Sequence, residues 1–166
     1  METKRQLTPF SSLLFKILGV LEMLALAMII VGVALKYLHQ PGADEILMIG
    51  MPTLAAVYFL MAYRPVAEAD SESTGFIGLL RKTILPRAGW IGCCVMIVGI
   101  LFNLLHLNGA REQLMVGVGA LGATILLSIF LIATSSEPPP RIMNQLYRSV
   151  PLFVIGGYMF MNLPPN

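Results

Sequence analysis

The stretch VGVALKYLHQPGADEILMIG, residues 31–50, occurs a second time as VGILFNLLHLNGAREQLMVG, residues 98–117. Ten of the twenty aligned positions are identical without a gap, whereas chance in so apolar a composition gives roughly two. Each copy consists of an apolar segment, a short polar turn that contains a glycine, and a second apolar segment. The repetition predicts that a membrane hairpin was duplicated within the chain.

The composition places the chain in a bilayer, because 57% of its residues are hydrophobic and only 12% are charged. Apolar segments long enough to cross a membrane are predicted at about 13–38, 46–63, 89–105 and 114–133. A fifth span is predicted at about 146–163, although Arg148 and Pro151 lie near its start. The expected fold class is an all-α polytopic integral membrane protein with duplicated transmembrane hairpins and a fifth helix.

The polar segments divide the chain into four parts. We expect a first transmembrane hairpin at 1–64, a cytoplasmic linker with an interfacial amphipathic segment at 65–85, a second hairpin at 86–134, and a proline-rich connector with the fifth helix at 135–166. The SSEPPPR run, residues 135–141, is expected to be a stiff non-helical connector.

Nine of the eleven basic residues fall on one side of these spans, and the positive-inside rule makes that side cytoplasmic. Lys36 and Arg111 are the two exceptions. The N-terminus is therefore predicted in the cytoplasm, whereas both repeated turns and the C-terminus are predicted outside. Trp90 and Tyr63 are expected to anchor the cytoplasmic ends of their helices at the interface.

Capping accounts for the repeated polar residues of the turns. His39 and His106 are expected to close their helices, Gly42 and Gly109 to supply the left-handed cap, and Asp44 to cap the next helix. The alternative is that the two histidines, together with two glutamates, bind a metal or pass protons. Those glutamates are Glu45 and Glu112.

Glu22 and Lys36 carry charge inside the first span. They are ~21 Å apart along one helix and cannot pair directly, so each needs another partner. Two roles remain open for Glu22: a structural bond to a neighbouring helix or subunit, or proton or ion coupling. Lys36 is expected to extend toward the outer interface. The second copy has Gly89 and Asn103 at the equivalent positions.

Small residues are expected where helices approach closely, either within the chain or against a partner subunit. The candidates are Gly32, Gly99, Gly119, Gly122 and Ala123.

The sequence contains none of the common catalytic motifs, so no enzymatic activity and no cofactor are expected. Cys93 and Cys94 are adjacent in one helix and are expected to be packing residues. The slight basic excess is explained by membrane orientation, and nucleic-acid binding is not expected.

The segment GVALKYLHQPGADEILMIG, residues 32–50, resembles the transmembrane hairpin of the GldL family of gliding-motility and type IX secretion motor proteins of Bacteroidetes. The resemblance runs through Lys36, His39, Pro41 and Gly42, and the second copy repeats it without the lysine. It implies a place in a bacterial inner-membrane assembly, in which family members surround a partner's transmembrane helices and use proton flow. Lys36 and His39 match the family pattern, whereas Leu54, and Leu121 in the repeat, replace its intramembrane glutamate.

The sequence therefore supports two functional hypotheses. The first is a non-catalytic scaffold or accessory subunit of a multi-protein inner-membrane complex, in contact with lipid and with other integral membrane proteins or further copies of itself. The second is a small proton- or ion-coupled transporter or channel that uses Glu22. The candidate residues for coupling or partner contact are Glu22, Lys36, His39 and His106.

Overall fold

The computed structural model describes residues 9–63, 84–134 and 140–163, and these residues form an all-α fold. Five helices follow one another along the chain: α1 (Pro9–Tyr37), α2 (Ala43–Ala62), α3 (Leu85–Leu104), α4 (Ala110–Ala133) and α5 (Pro140–Asn162). No strand occurs in these ranges, which confirms the predicted fold class. The predicted linker with its interfacial segment lies outside the described residues, apart from Ile84 and Leu85.

Four helices are long and apolar enough to cross a membrane: Lys16–Tyr37, Ala43–Ala62, Leu85–Leu104 and Ala110–Ala133. They coincide with the four spans predicted from hydropathy, but the last three begin three or four residues earlier. The reason is that polar residues such as Glu45 and Glu112 belong to the first turn of a helix, where a negative charge is favoured by the helix dipole.

The chain forms two compact units, of which the first comprises residues 1–57. Within it α1 and α2 are antiparallel neighbours. Gly32 faces the Leu47 side chain, and Gly50 faces Met28 and Ile29, so that an added Cβ would lie 2.9 to 3.3 Å from those side chains. Glycine at these positions allows the two backbones to approach closely, as is common between membrane helices.

The second unit comprises residues 58–166, and in it α3, α4 and α5 pack against one another. Gly92 faces Leu121, and an added Cβ on Gly117 would lie 3.1 Å from the Cα atom of Met96. On the α5 side, Gly122 faces the Phe153 ring. Three apolar side chains, Leu85, Leu131 and Ile142, form a buried cluster where the three helices meet at one end.

The two hairpins have equivalent internal contacts, and equivalent residues are 67 positions apart, as in the sequence repeat. The pair Gly32–Leu47 in the first unit has its equivalent in Gly99–Leu114 of the second. Both leucines are completely buried. The two hairpins thus share one packing scheme, whereas their origin by duplication stays a prediction.

The fifth helix begins at Pro140, six residues earlier than its predicted span and inside the segment expected to be a non-helical connector. Proline fits the first turn of a helix, because that turn needs no backbone N–H donor. Residues 135–139 of the connector lie outside the described residues. α5 is not among the four helices that are apolar enough to span by composition, so its crossing of the membrane stays a prediction.

α5 has an inverted distribution of polar residues. Gln145 and Ser149 are each 2% exposed, whereas Tyr147, Tyr158 and Met161 are at least 70% exposed. A helix that buries its polar groups against protein and exposes its apolar groups suits a lipid environment, in which polar atoms need partners within the protein.

Candidate functional site

Both turns end their first helix in the same way, and a histidine is the terminating residue. His39 has φ 54° and His106 has φ 52°, both in the left-handed region. The N–H group of His39 donates to the Lys36 carbonyl at 3.1 Å, and that of Gln40 donates to the Leu35 carbonyl at 2.9 Å. This pair of bonds is the Schellman motif.

The second turn repeats these bonds, from His106 to Asn103 at 3.2 Å and from Leu107 to Phe102 at 2.8 Å. The expectation that Gly42 and Gly109 form the left-handed cap of these helix ends was therefore wrong. Both glycines do have positive φ, 86° and 85°, but they stand immediately before the following helices.

A left-handed histidine is an uncommon choice, because glycine adopts this conformation without a steric penalty. The L-residue penalty is on the order of 1–2 kcal/mol. Both imidazole-bearing residues, His39 and His106, are exposed, so burial of the ring does not offset this cost. Strained backbone of this kind is often retained where the side chain has a function.

Lys36 closes the first turn through an ion pair. Its Nζ atom lies 2.6 Å from Asp44 Oδ1, and the two side chains are 29% and 57% exposed. Asp44 is the second residue of α2, so its expected role as the cap that precedes the helix was wrong. Asp44 is therefore the partner that Lys36 was expected to need.

The second turn is built differently around these two positions. Asn103 and Arg111 replace Lys36 and Asp44. The Arg111 guanidinium lies 5.8 Å from the centroid of the Phe160 ring of α5, a cation–π distance. The charge of the second turn is thus directed toward the fifth helix.

Glu22 lies on the buried face of α1, with only 7% of its surface exposed. Leu18 and Ala25, one turn away on either side, are buried as well. The candidate span begins at Lys16, so Glu22 lies ~9 Å along it. The carboxyl group is therefore inside the protein at a depth where an unpartnered charge is costly.

The Glu22 position of the second hairpin is Gly89, and a residue of α5 fills it. An ideal Cβ atom built on Gly89 would overlap the amide nitrogen of Gln145, so a larger residue there requires the Gln145 side chain to move. The Gln145 Oε1 atom is buried and has no hydrogen-bond partner. A polar side chain is thus buried at corresponding positions of the two repeats: Glu22 on the first helix of its own hairpin, and Gln145 of α5 against Gly89.

The predicted packing residues fall into two groups. Gly32, Gly99 and Gly122 face other helices of the chain. Gly119 has no such atom within 4 Å of an added Cβ, and Ala123, one turn later, is exposed. A packing role of Gly119 and Ala123 therefore stays a prediction about contacts outside the chain.

Trp90 takes part in a cluster that sequence analysis did not predict. Its ring meets Tyr58 edge-on at 5.3 Å between centroids, and the Arg148 guanidinium lies 5.6 Å from its centroid. Arg148 Nη1 is also 3.7 Å from Met61 Sδ. Trp90 thus links α2, α3 and α5 in addition to any anchoring at the interface.

The sequence did contain a signal that α5 packs within the protein. Its buried residues Ile142, Gln145 and Ser149 follow one another at intervals of three and four positions, which places them on one face of the helix.

The described residues contain no group of three or more histidine, cysteine or acidic side chains that could hold a metal ion. The metal alternative for His39 and His106 therefore gains no support from the described part of the chain. Cys93 is buried, Cys94 is half-buried, and both are free thiols.

Comparison with known proteins finds a similarity to a known family for one part of this arrangement. No curated protein and no solved structure matches the chain. Residues 23–74 match the family model described as the GldL N-terminal domain. The match covers the second half of α1, the first turn with Lys36 and His39, and all of α2, so the first hairpin resembles the GldL transmembrane region.

Proposed function

We propose that this chain is a non-catalytic integral subunit, scaffold or accessory component, of a multi-protein bacterial inner-membrane complex of the gliding-motility or type IX secretion motor type. The observation that carries this proposal is the GldL N-terminal match over residues 23–74. It coincides with a hairpin whose turn is held by the Lys36–Asp44 ion pair.

Buried leucines at the position of the family's glutamate favour a scaffold or accessory role over the role of the motor itself. Leu54, at the position of the family's intramembrane glutamate, is 3% exposed, and its equivalent Leu121 is completely buried. An aliphatic side chain cannot exchange a proton. Within the described residues, the two short turns also leave little polar surface for chemistry outside the membrane.

Partner contact is expected through the outward apolar surface of the matched hairpin. Ile30 of α1 is 69% exposed, and Leu126 of α4, outside the matched residues, is 70% exposed. The tagged chain should co-purify in mild detergent with other integral membrane proteins in a fixed ratio. Ile30→Trp should reduce this association by obstructing close helix packing, whereas the matched control Leu126→Trp should preserve it. A chain that purifies alone, or equal losses in both variants, would contradict the proposal.

A second candidate, proton or ion coupling, rests on the burial of Glu22 in α1. Buried ionisable residues in membrane helices commonly mark ion pathways. Proteoliposomes of the purified chain should then show proton movement that Glu22→Gln abolishes. Glu45→Gln, an exposed acidic residue of the turn, is the control. Equal rates in wild type and Glu22→Gln would leave Glu22 with the structural role.

A further inference from the structure

We draw no further inference here: the strongest candidate, the exposed apolar face of α1 at Leu26, Ile30 and Val33, whose equivalent positions in α3 are buried, carries none because nothing in the described part of the chain shows what covers it.

Discussion

The two left-handed histidines are the clearest case in which single residues depart from what the backbone favours. At the C-terminal cap of a Schellman motif, glycine is the usual residue, yet His39 and His106 both take this place. Because the same departure occurs in both hairpins, we infer that histidine is present at these positions for its imidazole side chain. A partner contact outside the membrane is one role that an exposed ring can have.

His39→Gly should therefore stabilise the chain by about 1 kcal/mol, because it removes the left-handed penalty. His39→Ala keeps that penalty and should give no such gain, which makes it the control. The measurement is thermal unfolding of both variants in detergent. A loss of stability in His39→Gly would mean that the imidazole makes contacts that outweigh the strain.

Sequence reasoning located these turns but assigned their residues incorrectly. The glycines were expected at the helix ends because glycine is the common left-handed residue, and a histidine in that conformation has no signature in the sequence. Gln145 was missed for a related reason. The Gln145 side chain lies against Gly89, which is 56 positions earlier in the chain, and only the packing of α5 brings the two residues together.

At the scale of the helices, α3 and α4 depend on glycine where their backbones meet. A methyl group on Gly117 would lie 3.1 Å from the Met96 Cα atom, and a backbone atom cannot move aside as the end of a side chain can. Hydropathy predicted the four spans well because apolar length is a local property. It carries no information on which glycines lie at a helix contact.

Gly117→Ala should destabilise the second unit by about 1–3 kcal/mol through overpacking. Gly119→Ala lies two residues further on in the same helix, with no other-helix atom within 4 Å of the added methyl group. It should be neutral or stabilising by up to ~1 kcal/mol, because alanine favours a helix more than glycine does. Denaturation in detergent compares the two variants. Destabilisation by Gly119→Ala together with loss of an oligomer would instead assign Gly119 to a subunit contact.

At the scale of the whole molecule, the number of membrane crossings depends on α5. Its composition is too polar for a span, yet several of its exposed residues are large and apolar, and two of its buried residues, Gln145 and Ser149, are polar. A helix with 23 residues extends ~34 Å, enough for the hydrocarbon core. Burial of Gln145 and Ser149 removes from the lipid two of the groups that lower the average hydropathy. We therefore expect five crossings, with the N-terminus in the cytoplasm and the C-terminus outside.

Single cysteines in a background without Cys93 and Cys94 test this topology in intact cells. An impermeant thiol reagent should label Gln40→Cys in the first turn and Asn162→Cys at the end of α5, because both positions are exposed and predicted outside. Thr134→Cys, exposed at the end of α4, should react only after the membrane is permeabilised. Labelling of Gln40→Cys with protection of both Thr134→Cys and Asn162→Cys would mean that α5 returns to the cytoplasmic side.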